Sequence, residues 1–127
     1  MSLALHDGHQ IAYEATWRTP NNHTVELTPA IQAALGHAGL AAPDLKGLAV
    51  AQGPGSFTGL RIGLGVAKGL AQSLGRPLVA IPSLDIIAAA VPSFDGALIA
   101  VLQAGRGRVC AGRYIRAADG WRADGEP

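Results

Sequence analysis

Apolar positions along this chain change period around one central stretch. Leu48 to Ala51 is a short continuous apolar run, which reads as a buried strand. Gly53-Pro54-Gly55-Ser56 follows, a cluster with the chemistry of a turn. After Thr58 the period lengthens: Leu60, Leu64, Ala67, Ala71 and Leu74 recur at three- and four-residue steps, one face of a helix that packs on a sheet. Gly75 suits a left-handed C-terminal cap, and Pro77 prevents continuation. Ile62, Val66, Gly65 and Gly69 fall toward another side, so the apolar surface is wider than one stripe. Glycine inside a helix costs about 1 kcal/mol relative to alanine, and this helix holds Gly63, Gly65 and Gly69. Small residues at that density point to close approach by another backbone, from within the fold or from a partner.

The flanks carry shorter patterns. Ser2 to Leu5 and Gln10 to Trp17 enclose His6-Asp7-Gly8-His9, and Asp-Gly is a strong hairpin dipeptide. Ile11, Tyr13, Ala15 and Trp17 alternate with polar or small residues, the period of a half-buried strand. Asn21 and Asn22 are candidate caps for a helix whose stripe is Ile31, Ala34, Leu35 and Ala38, ending at Gly39. Taken alone, Thr28-Pro29 would start that helix with proline in its first turn. Ala41 to Asp44 links to the central strand. Leu78 to Ile81 reads as a strand parallel to it, completing a right-handed βαβ unit. Pro82-Ser83 opens a helix through Ile86, Ile87 and Ala90, with Asp85 favourably placed in its first turn. Ala97 to Leu102 is a further strand, paired across Ala104-Gly105-Arg106-Gly107 with residues 108–116.

Composition narrows the class. A chain of 127 residues buries roughly two-thirds of its unfolded surface, and one domain is expected. Hydrophobic residues are 49% and charged residues 15%, a surface poor in charge that implies cover by another subunit. Net charge of +1 gives no electrostatic basis for autonomous nucleic-acid binding. Cys110 is the sole cysteine, which excludes an internal disulfide and a cysteine-built zinc site. No apolar run is long enough to span a membrane and the N-terminus lacks a signal-peptide pattern, so a cytoplasmic location is expected.

Candidate chemistry tests poorly against phosphate and nucleophile motifs. Lys68 lies between Ala67 and Gly69, so the Walker spacing fails. Gly53, Gly55 and Gly59 are one residue too widely spaced for a dinucleotide fingerprint, as are Gly63, Gly65 and Gly69. Ser56 is not a nucleophile elbow, because Pro54 and Thr58 stand where glycines are needed. A helix cap by Ser56 or Thr58 therefore competes with a phosphate-facing turn made by Gly53, Gly55, Ser56 and Thr58. His6 and His9 bracket a turn without further ligands nearby, and the reading is solvated turn residues over a metal site. His23 and Glu26 share a first helical turn; a solvated pair competes there with an acid/base pair. Arg106, Arg108, Arg113, Arg116 and Arg122 make the C-terminal end basic, either a solvated face or a set of phosphate contacts.

Gln52-Gly53-Pro54-Gly55-Ser56-Phe57-Thr58-Gly59-Leu60-Arg61-Ile62-Gly63, with Ala67-Lys68-Gly69-Leu70-Ala71 and Pro77 to Leu84, resembles the signature of the TsaB (YeaZ) family. The resemblance implies an α/β fold, the ribonuclease-H-like (actin-like ATPase) N-terminal lobe, a mixed β-sheet with flanking helices. It implies a non-catalytic subunit that pairs with a TsaD-like ATPase, and with TsaE and TsaC products, to make threonylcarbamoyladenosine in tRNA. His23-Thr24-Val25-Glu26-Leu27-Thr28-Pro29 is similar to a family stretch in which the helix starts before the proline. A helix from about His23 is expected, disturbed at Pro29.

The same resemblance implies docking through helices over 23–38 and 57–74. The interface residues would be His23, Glu26, Leu27, Leu60, Arg61, Leu64, Gly65 and Lys68, with glutamate at Ala67 as a test of the face. Expected partners are a TsaD-like protein, a TsaE-like protein and a second copy of the chain, with tRNA met only through the complex and no membrane. No metal or other cofactor is expected, with ATP or ADP and Mg at the partner interface as the alternative. Two departures from the family stand out. Relatives begin with an extra strand carrying Asp-Thr-Ser, whereas this sequence starts at the following strand, which leaves a pairing edge exposed. Gln103 to Cys110 replaces an Asp-Ala-Arg-Arg-Gly-Glu-Val-Tyr pattern, so the turn loses both carboxylates. Residues 1–127 are therefore expected to form a single lobe, a fragment or shortened variant without the family's first strand and second lobe. The competing functions are an actin-like ATPase or hydrolase using Ser56 or His23, and a homodimeric binding protein of another role.

Overall fold

The computed structural model describes residues 1–20 and 22–125. The Asp-Gly turn closes the first hairpin as its sequence demands. Strands β1 (Ser2–His6) and β2 (Ile11–Thr16) pair antiparallel from Ser2↔Thr16 to His6↔Ile11, with an irregularity between Leu5 and His6. Asp7 Oδ1 accepts the backbone N–H groups of His9 and Gln10, both at 2.8 Å, which fixes the turn. Tyr13, Ala15 and Trp17 are half-buried as the alternation requires, while Ile11 is exposed.

Helix α1 spans His23–His37 and runs through Pro29, as the family pattern implies. Asn22 occupies its N-cap position without a side-chain cap bond; its backbone carbonyl accepts the N–H of Val25 and Glu26 instead. Asn21, the other candidate cap, lies outside the described residues. The helix ends on Gly39, φ +68°. There Leu40 N–H reaches the Leu35 carbonyl at 2.8 Å and Gly39 N–H the Gly36 carbonyl at 3.1 Å, the paired closure of a glycine-capped helix. Leu27, Ala34 and Leu35 are its buried residues.

A single 3-10 turn, Ala42–Asp44, leads to β3 (Leu48–Gly53), and β3 pairs with β4 (Leu78–Pro82). Between them runs α2, Phe57–Leu74, with Ala67 and Ala71 buried on the expected face. It too closes on a left-handed glycine: Gly75 has φ +62°, and Arg76 N–H bonds the Ala71 carbonyl at 2.9 Å. Helix α3 (Ser83–Ala89) precedes β5 (Ala97–Gln103), β6 (Val109–Ala117) and β7 (Gly120–Ala123), which form an antiparallel sheet in that order.

Contacts divide the chain into two compact units. The first joins Met1–Leu48 to Gly65–Leu78; there α1 lies against β1 and β2, and Glu26 Oε2 accepts the Trp17 indole N–H at 2.9 Å. The second joins Ala49–Leu64 to the chain from Val79 onward. Its core is Ala88, Ala100 and Tyr114, with Leu84, Leu98 and Trp121 packed around them.

Candidate functional site

The β3–α2 turn holds the four residues expected to compete between cap and phosphate contact. Gly53 sits at φ +109°, a conformation side-chain-bearing residues rarely adopt. A Cβ there would stand 3.1 Å from Leu60 Cδ1, and one on Gly55 would stand 3.6 Å from the same atom. Leu60, one turn into the helix, therefore takes the close approach that the two glycines permit. Ser56 Oγ accepts the Gly59 N–H at 3.4 Å and its carbonyl accepts the Leu60 N–H at 2.9 Å. Ser56 is the cap, and Thr58 lies exposed in the first helical turn. These residues do not fit a nucleotide with its metal. Leu60 fills the space above the glycines, one orphan N–H is already bonded, and positions 53–58 carry no carboxylate.

Helix α2 presents two different faces. Ala67 and Ala71 are each 8% exposed, and Leu60, Leu64 and Leu74 are half-buried beside them along the helix. Phe57, Arg61, Gly65 and Lys68 are exposed, spaced by four, four and three residues as one side of a helix requires. A Cβ on Gly65 or Gly69 would meet nothing within 4 Å, whereas one on Gly63 would lie 3.9 Å from Val50 Cγ2. Gly63 thus faces a strand, and the space beside Gly65 and Gly69 is open among the described residues. Ala67 belongs to the inward face, so glutamate there would test the core and not the surface. Gly65 is the position that tests the surface.

On α1, His23 and Glu26 are half-buried and Leu27 is buried at 9% exposure, while Val25 is 71% exposed. Leu27 therefore contributes packing. Glu26 is held by Trp17, which leaves it oriented as a structural acceptor and not as the base of a pair with His23. His6 Nδ1 accepts the Gly8 N–H at 3.0 Å, a local turn contact. Among the described residues no group of three or more His, Cys, Asp or Glu is placed to hold a metal.

In the second unit Tyr114 donates its phenolic hydrogen bond to Asp85 Oδ1 at 2.6 Å. Burial, and then this carboxylate acceptor, push the Tyr114 hydroxyl up to about 12. The pair borders an open groove of about 590 Å³ walled by Ile81, Ile86, Ala89 and Trp121, with Arg122 among its lining residues. Arg113 pairs with Asp124 at 2.9 Å and Arg116 with Asp95, so two of the five C-terminal arginines are partly neutralised within the fold. Trp17, Tyr114 and Trp121 organise their units through bonds to Glu26, Asp85 and the Val91 carbonyl, and the sequence patterns single out none of the three bonds.

A strand–glycine turn–helix unit with its paired strand, followed by a three-stranded antiparallel sheet, defines an α/β protein of the ribonuclease-H-like, actin-like ATPase class. Residues 18–123 match the family profile described as "TsaD: tRNA N6-adenosine threonylcarbamoyltransferase". The TsaB proteins of Bacillus subtilis (strain 168) and Escherichia coli (strain K12) are 44% and 35% identical over 93 and 108 residues. Those alignments cover 73% and 83% of this chain but 41% and 47% of the relatives. The solved structure of YeaZ from Pseudomonas aeruginosa superposes with a TM-score of 0.86 at 33% identity, covering 98% of this chain and 59% of that one. The chain belongs to the TsaB (YeaZ) family within this class. It spans less than half the length of the two curated relatives.

Proposed function

We propose that the chain is a non-catalytic partner subunit in the biosynthesis of threonylcarbamoyladenosine in tRNA, docking on a TsaD-like protein through the exposed faces of α1 and α2. The observation that carries this reading is on α2. One side of the helix packs inward through Ala67 and Ala71, while a Cβ on Gly65 or Gly69 would meet nothing within 4 Å among the described residues. A helix that tolerates glycine where nothing in its own fold approaches leaves room for another backbone. The names of the relatives supply the process: both curated proteins are tRNA threonylcarbamoyladenosine biosynthesis proteins. The enzyme alternative loses support because Ser56 is engaged as a cap and Glu26 is held by Trp17. A TsaE-like protein is a further partner of the assembly, tRNA is met only through it, the working compartment is the cytoplasm, and a second copy of the chain is the competing occupant of the face.

Gly65→Ala and Gly69→Ala test the reading in opposite directions. Each raises the stability of the chain alone by up to about 1 kcal/mol, since alanine favours the helix and meets open space. Each also weakens association with a TsaD-like protein from the same genome, measured by calorimetry. Stabilised variants that bind as tightly as the parent would contradict docking through this face.

A further inference from the structure

The same exposed row of α2 also says what kind of surface it fits. Phe57 is 73% exposed, and the Arg61 guanidinium carbon lies 5.3 Å from the centre of its ring. An arginine stacked on an exposed aromatic ring is partly ordered before any partner arrives, which lowers the entropy lost on binding. Aromatic and arginine side chains are the types enriched among residues that dominate interface energetics. Two turns further along the same side stands Lys68, exposed. Arg61 and Lys68 are the only charged residues of α2, which contains no aspartate or glutamate. The exposed row thus combines one apolar anchor, two cations about 10 Å apart along the axis and open glycines between and beyond them.

We infer that Phe57 and Arg61 anchor the docking of an acidic protein surface, one that offers an apolar pocket to Phe57 and carboxylates to Arg61 and Lys68. The inference rests on the docking reading above and specifies its partner. Charge decides between occupants. A second copy related by a two-fold axis would set this row against itself, gathering four cations without a carboxylate on either helix. A heterologous partner with carboxylates gains both steering and specificity from the same charges. An RNA backbone would also meet cations, but one exposed ring and two separated charges offer little of the basic surface that phosphate binding uses.

The test uses the full chain and the TsaD-like protein of the same genome. Phe57→Ala weakens the complex by about tenfold or more at all salt concentrations. Arg61→Glu weakens it by about tenfold or more, most at low salt, and Arg61→Lys recovers part of the loss. Both positions are exposed, and unchanged melting curves confirm that the three variants fold. If the parent binds and both Phe57→Ala and Arg61→Glu bind equally well, the anchor is overturned while the docking reading stands. If the parent fails to bind at all, both fall. Arg61-dependent retention of bulk tRNA by the chain alone, or tighter self-association than association with the TsaD-like protein, would also overturn the acidic-partner inference.

Discussion

Tyr114 links two elements through a single proton. Its hydroxyl bonds Asp85, 29 positions earlier in the chain, and its ring is 3% exposed in the core with Ala88 and Ala100. The folded state keeps the phenol protonated to about pH 12, against 10.0 for an ordinary tyrosine. Between those values the unfolded chain releases a proton that the native state holds, so the contribution is fully present below pH 10.0 and is lost as pH rises toward about 12. Stability declines as pH rises through that window. Tyr114→Phe removes that slope and costs about 1 to 2 kcal/mol at neutral pH, where Asp85 loses its donor. Urea midpoints measured across the alkaline range check both effects. Residue-scale facts of this kind were poorly legible in the sequence. Asp7-Gly8 announced its turn because every bond there is local, whereas Tyr114–Asp85 and Trp17–Glu26 depend on elements meeting in space. Phe57 stood in plain view inside the signature, yet only its 73% exposure marks it as more than packing.

At the scale of elements, sequence and structure coincide where period and punctuation agree. The first hairpin, the inward stripe of α2 and the β5–β6 turn at Ala104 to Gly107 all appear where apolar spacing and glycine place them, whereas α1 runs through Pro29 as the family stretch implies and against the residue pattern taken alone. Both long helices end on left-handed glycines, Gly39 and Gly75. Gly75→Ala therefore destabilises the chain by about 1 kcal/mol although a Cβ there meets nothing within 4 Å, because its cost is backbone strain. Denaturant unfolding should show this loss beside the gain at Gly65→Ala, two glycines in open space with opposite signs. Strand β7 carries no legible period, although Asp119-Gly120 is its hairpin signal; Trp121-Arg122-Ala123 is too short for alternation to register. Ser56 and Thr58 are equal cap candidates by residue type, and the start of the helix at Phe57 selects Ser56.

For the whole molecule, a composition rich in apolar and poor in charged residues leaves apolar side chains at the surface. Val25, Phe57, Ile99 and Val109 are each more than 60% exposed. The run Ala97 to Leu102 has the continuous apolar pattern of a strand covered on both faces, yet Leu98, Ala100 and Leu102 are the residues turned inward while Ile99 and Val101 are open. Such a surface is what the proposed docking on a partner would use. The most direct test of that account is the mass of the purified chain in solution, alone and mixed with the TsaD-like protein of the same genome. The account predicts a complex of one chain with one TsaD-like subunit, formed at the expense of any self-association. Two species that elute at their separate masses, with no shared peak at micromolar concentration, would contradict it.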